Sequence, residues 1–247
     1  MVPTNLATKP ALSTAKAAAA AHRKLQREPD WKKGPSLNHW LRSRQIGDEL
    51  INRHRLGLYV SRVGDRDVPS IGIPIPADAS GDAFYIKKRV APHLIDVNAS
   101  SDYVPWKQWG IPPMVWFTHK PDDATQTWLC EGEWDAIVMG EMVRESGEAI
   151  AEACVTCGAG SVPDGEQLAR LVGDTIVWYD LDKAGRAGAA KVTNALGKGS
   201  HIATVPHGED PRREVHLDVE VVRCAGLELA RLASRLTVGA VETRPSH

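Results

Sequence analysis

Hydrophobic and polar positions change period along the chain. From about residue 126, short apolar runs alternate with helical patterns, as in a mostly parallel sheet with helices packed on it. Trp128-Leu129-Cys130 predicts a strand, 133–144 a helix, 153–157 a strand, 165–171 a helix and 175–179 a strand. A helix at 185–196 follows, whose Ala187, Gly188, Ala189 and Ala190 suit close packing on a sheet, and 201–205 is a last strand. Upstream the pattern is mixed. Ser36 reads as an N-cap before Leu37, Trp40 and Leu41 on one helical face, and a second helix opens at Gly47-Asp48 with Leu50, Ile51 and His54 inward. Residues 68–76 are extended but contain Pro69, Pro74 and Pro76, which predicts an edge or bulged strand. A turn at 78–82, a strand at 83–90 alternating apolar and basic residues, and a strand at 114–118 complete this part. Residues 1–33 hold a helix-prone alanine run without an apolar stripe and read as a flexible arm, either disordered, a linker or a short surface helix. Residues 214–236 read as a helix with Val215, Val219, Val222, Leu227, Leu229 and Leu232 inward. The expected organisation is an arm (1–33), a basic N-terminal α+β subdomain (34–124), an α/β domain (125–211) and a C-terminal helix with a tail (212–247).

Two of these strands end in carboxylates. The first runs into Glu131-Gly132 and then a helix; the second runs into Asp180-Leu181-Asp182. Alternate strand residues face the same way, so Asp180 and Asp182 can aim at one point. Ligands of open α/β sheets sit beyond the carboxyl ends of the strands, where both acidic stretches fall. Three converging carboxylates repel one another unless a divalent cation lies between them, and hard oxygen ligands suit Mg²⁺ or Mn²⁺. Asp135, one helical turn past Glu131, is a candidate further ligand or a residue that orients one; the alternative is a helix-capping carboxylate.

These words resemble the toprim domain found in bacterial-type primases, topoisomerases, nucleases and recombination mediators. Glu131-Gly-Glu-Trp-Asp135-Ala and Asp180-Leu-Asp182-Lys-Ala-Gly185-Arg186 are similar to the primase form. Residues 40–59 resemble the start of the N-terminal subdomain of the primase core, with Gln45 where glycine is usual and His54 where an aromatic is usual. The resemblance implies a toprim fold with an N-terminal α+β primase-core subdomain. It also implies metal-dependent, template-directed synthesis of short RNA primers on single-stranded DNA. Glu131, Asp180 and Asp182 would be catalytic and, with Asp135, would hold Mg²⁺ or Mn²⁺. Lys88, Arg89 and Lys107 would meet nucleotide or template phosphates; for Lys88 and Arg89 a merely solvated strand face is the alternative. Trp106 and Trp109 either stack on bases or cap the subdomain junction. His207 stands where primases usually carry an aspartate before Gly-x-Asp-Pro, which leaves an auxiliary ligand there to Glu209 or Asp210. The implied partners are template, NTPs, and a replicative helicase or separate template-reading domain, in a plasmid, phage or mobile-element setting.

Composition adds a charge asymmetry. Residues 1–120 carry 18 Lys and Arg against 10 Asp and Glu, a net +8, and residues 121–247 carry 12 against 21, a net −9. A basic half that attracts phosphate beside an acidic half that attracts cations suits a polymerase. Cys154-Val-Thr-Cys157 lacks a second pair at zinc spacing and reads as buried thiols. No apolar run reaches the roughly 18 residues a membrane span needs, and no apolar signal segment opens the chain, so a cytoplasmic location is expected. Two rival readings stand: a toprim nuclease using the same carboxylates, and a degenerate module that binds nucleic acid or a replication partner. A topoisomerase would need a large tyrosine-bearing domain for which the length leaves no room.

Overall fold

The computed structural model describes residues 12–27, 36–63, 65–90, 106–107, 111–180, 182–197 and 199–202. The expectations for Trp109, for 206–211 with His207, Glu209 and Asp210, and for the helix at 214–236 lie outside them. The chain forms two compact units, Met1–Trp116 and Phe117–His247.

The first unit carries an antiparallel sheet in the order β1 (Ser13–Thr14), β4 (Ala83–Val90), β3 (Arg66–Pro76), β2 (Gly57–Val63), with β5 (Trp106–Lys107) also on β4. β3 is therefore an interior strand, which corrects the edge-strand expectation. β2 pairs with Arg66 through Gly72, and β4 pairs with Ser70 through Pro76. Among the described residues only 70–72 have neighbours on both sides. Pro69, Pro74 and Pro76 all fall where β3 has one described neighbour, so no ladder among them needs the N–H that proline lacks.

Before the sheet comes α1 (Ala15–Gln26), capped by Thr14, whose side chain accepts the Ala17 N–H at 3.2 Å. Ala18, Ala21 and Leu25 are buried on one face. The reading of residues 1–33 as an arm without an apolar stripe is thus corrected over this stretch. Alanine makes a stripe too small to register as hydrophobic periodicity, yet small enough to seat the helix tightly. A Cβ on Gly57 of β2 would lie 2.9 Å from Ala21 Cβ. His22 Nδ1, 2.8 Å from the Leu56 carbonyl oxygen, fixes the same contact. α2 (Leu37–Ser43) opens on Ser36, which accepts the His39 N–H at 3.0 Å, and α3 (Asp48–Arg53) opens on Gly47. Between them Gln45 adopts φ +63°, the left-handed region that favours glycine.

The second sheet, built in the second unit apart from Val115 and Trp116 at the start of its last strand, has the order β10 (Ser200–Ile202), β9 (Asp174–Trp178), β7 (Gln126–Cys130), β8 (Ile150–Val155), β6 (Val115–His119). β7 lies between parallel β8 and β9, and β9 is parallel to β10. The β8 residues are all buried, as a central parallel strand requires. Three helices connect these strands: α4 (Glu133–Ser146), the short α5 (Gly165–Leu168) and α6 (Lys183–Leu196). α4 ends on Gly147 at φ +69°, a left-handed C-cap. Among the described residues no helix is long and apolar enough to cross a membrane.

Candidate active site

The site is built at the carboxyl ends of β7 and β9. These strands are neighbours, with Cys130 opposite Trp178. Glu131 follows β7 directly, and Asp180 follows β9 by two positions, so both leave the sheet at the same end. Glu131 Oε2 accepts the backbone N–H of Asp180 at 3.2 Å. Asp182 begins α6: its Oδ1 accepts the Gly185 N–H at 2.7 Å as the N-cap. Strand alternation does not orient the two aspartates, as expected from sequence, because β9 stops at Trp178. The turn into α6 orients them instead.

Electrostatics show how close the acids are. Partial burial pushes the Glu131 carboxyl above its usual range, and Asp180 pushes it further. The Asp180 amide works in the opposite sense, and Asp182 and Asp135 add smaller increments upward. Asp180, Asp182 and Asp135 therefore all lie within electrostatic reach of Glu131. Asp135 sits exposed in the first turn of α4, where a negative charge complements the helix N-terminus. Gly132 lacks a side chain where a Cβ would lie 2.9 Å from Asp135 Oδ2.

The donor set fits a hard divalent cation: only carboxylate oxygens, mutually repelling, at the ligand-binding end of the sheet. Among the described residues no three His, Cys, Asp or Glu side chains are gathered at ligating distance. The backbone hydrogen bonds engage one oxygen each of Glu131 and Asp182, which leaves the second oxygen of each carboxylate for a ligand.

Beneath these acids lies a residue that sequence reasoning passed over. Glu152, in the middle of β8, is fully buried. Burial drives its carboxyl well above the carboxylate range; the Cys130 thiol moderates the shift and Asp135 adds to it. The one visible signal was an acid inside the apolar run Ile150-Ala-Glu152-Ala-Cys-Val. Cys154 is buried directly opposite Cys130, and Cys130, Cys154 and Cys157 are thiols. The glycine turn at Gly158-Ala159-Gly160 packs beside α6: a Cβ on Gly188 would overlap the Ala159 carbonyl oxygen.

The basic candidates belong to the first unit and divide between the faces of its sheet. Lys88 and Arg89 are successive residues of β4, so they point to opposite faces. Lys107 of β5 is the register partner of Lys88. Lys88 is half-buried; its Nζ donates to the Val60 carbonyl at 3.0 Å and lies 5.7 Å from the centre of the Tyr59 ring. Burial lowers its pKa. It borders an open cleft of about 450 Å³ shared with Thr14, Tyr59, Ile86 and Ile111.

No protein-family model and no curated protein matches the chain. Solved structures do. The RNA polymerase domain of the Mycobacterium tuberculosis primase DnaG matches with TM-score 0.56 and 19% identity, over 88% of this chain and 81% of that one. The primase fragment of the bacteriophage T7 primase-helicase protein matches with TM-score 0.51 and 17% identity, over 82% and 84%. The zinc-binding and RNA polymerase domains of the Aquifex aeolicus primase match with TM-score 0.54 and 15% identity, over 88% of this chain and 60% of that one. Two sheets with several helices, an antiparallel sheet first and a mostly parallel one bearing the acids second, give this chain the fold of the primase RNA polymerase core.

Proposed function

We propose that the protein is a primase catalytic core that makes short RNA primers on single-stranded DNA. What supports this reading is that Glu131 and Asp180 leave adjacent parallel strands at the same end, with Asp182 capping the helix that follows and both aspartates acting electrostatically on Glu131. Glu131, Asp180 and Asp182, with Asp135 beside them, would hold Mg²⁺ or Mn²⁺. When bound, such ions lower the pKa of a primer 3′-hydroxyl and offset the charge on the transferred phosphate and departing pyrophosphate.

The chain's own residues prepare this chemistry. Glu131 is held against the Asp180 amide, which fixes one oxygen and leaves the other to face a ligand. Its raised pKa makes it the candidate to take up a proton from the attacking hydroxyl. Asp182 is anchored as a helix cap through one oxygen, and the other would ligate. Lys88, Arg89 and Lys107 would neutralise phosphates of nucleotide or template; the lowered pKa of Lys88, pushed down by burial, favours an anion there. A helicase or a separate template-reading domain would supply DNA.

The test is direct. The protein is incubated with single-stranded DNA, Mg²⁺ or Mn²⁺ and labelled nucleotides, and the products are resolved on a gel. A ladder of short oligomers requiring template and metal is expected. DNA shortening without new oligomers, or wild-type primer synthesis by the Asp180→Asn, Asp182→Asn double variant, overturns the reading.

A further inference from the structure

Two glycines one helical turn apart seat α6 against the loops at the carboxyl end of the second sheet. Gly188 meets the β8–α5 turn: a Cβ there would overlap the Ala159 carbonyl oxygen and lie 2.7 Å from Ala159 Cβ. Gly185 meets the acids. A Cβ on it would overlap the Asp180 carbonyl oxygen and lie 2.8 Å from Glu131 Oε2. The same residue donates its N–H to Asp182 Oδ1 at 2.7 Å. One buried glycine thus touches all three acidic residues, with its amide on Asp182 and its bare Cα against Asp180 and Glu131.

We propose that Gly185 is a positioning residue for the acidic set. Its missing side chain sets the spacing between Glu131 and Asp180, and through that spacing the affinity for a divalent cation. The spacing follows from contacts in the structure; the step to cation affinity rests on the metal reading above. Helix propensity argues the other way, since alanine is preferred to glycine in a helix by about 1 kcal/mol. Two oxygens closer than a Cβ tolerates outweigh that preference. The Asp180 carbonyl is backbone and yields only if α6 shifts, whereas the Glu131 side chain can swing aside. A swing removes the acceptor from the Asp180 amide.

Gly188→Ala is the matched control, because it faces a comparable backbone overlap on the same helix with no acid in contact. Wild type, Gly185→Ala and Gly188→Ala are compared as full chains. Three quantities are read: melting temperature, hydrogen exchange of the Asp180 amide by NMR, and Mn²⁺ binding by calorimetry. Both variants are expected to melt lower. Gly185→Ala alone should speed Asp180 exchange and weaken Mn²⁺ binding tenfold or more. Asp180 exchange and Mn²⁺ affinity within twofold of those of Gly188→Ala overturn the proposal. A wild-type protein that takes up no Mn²⁺ defeats the metal reading and removes the affinity step, and the exchange comparison then decides the spacing. Should Gly185→Ala not fold, Glu131→Ala is added to it. Recovered folding assigns the vacancy at Gly185 to Glu131 and supports the proposal. Continued failure assigns it to the Asp180 backbone alone and overturns it.

Discussion

Glu131 and Asp180 lie 49 positions apart in sequence, yet the Glu131 carboxylate accepts the Asp180 backbone N–H at 3.2 Å. One acid is thereby held at the strand end that presents the other, while their charges repel. A pair kept in this tension has opposite effects on fold and on chemistry.

Glu131→Gln keeps a hydrogen-bond acceptor and removes the charge. Primer synthesis should fall at least a hundredfold, the scale of losing a few kcal/mol of charge stabilisation. Stability of the metal-free protein at neutral pH should be unchanged or higher. The sign follows from the raised carboxyl pKa: the folded state holds this proton more tightly than the unfolded one, so stability falls as pH rises through the folded value. Urea titrations at several pH values, with and without the substitution, read this out.

Asp182 serves both as helix cap and as candidate ligand. Asp182→Asn should keep the cap and lose activity. Asp182→Ala should lose activity and about 1 kcal/mol of stability besides. Melting curves beside a primer-synthesis assay separate the two roles.

His54 stands where primase cores usually carry an aromatic, and burial, with Arg53 adding to it, lowers its pKa to about 4. It is a neutral ring at physiological pH. Between the ordinary histidine value of 6.5 and about 4 the unfolded chain takes up a proton that the folded chain refuses. Stability is therefore full above pH 6.5 and drops as pH falls to about 4, by about 3 kcal/mol at most. His54→Phe should flatten that slope in denaturant titrations at pH 7 and pH 4.5.

Gln45 holds a left-handed backbone conformation at φ +63°. Gln45→Gly should raise stability by about 1 kcal/mol or less, the left-handed penalty relieved minus the greater freedom of glycine in the unfolded chain. An unchanged or lower melting temperature would refute this.

The acidic set was legible in sequence because the words that carry it, Glu131-Gly132 and Asp180-x-Asp182, are short and sit at strand ends. Their orientation was not legible. Whether Asp182 continues a strand or caps a helix depends on where β9 stops, and Trp178-Tyr179 gives no local sign of that. The buried face of α1 escaped notice because Ala18 and Ala21 carry too little apolar surface to mark it; their role is visible only beside Gly57. The prolines of β3 were read correctly as barring a second hydrogen-bonded neighbour and wrongly as barring an interior strand, because stagger between partners cannot be read from one strand. Glu152 was passed over since an acid in an apolar run has no meaning until the run is known to be central. The Gln45 and His54 departures, in contrast, were visible as mismatches and acquire a cause only from a backbone angle and a buried ring.

The staggered pairing of β3 also limits growth. β2 meets this strand only as far as Gly72, and two residues beyond stands Pro74 with no N–H to offer. β4 meets it only as far as Ser70, and the next residue is Pro69. Within the described residues, extending either pairing along β3 would meet a proline without a donor. The prolines of β3 therefore act as length marks: creeping of either hairpin along this strand would cost a ladder hydrogen bond.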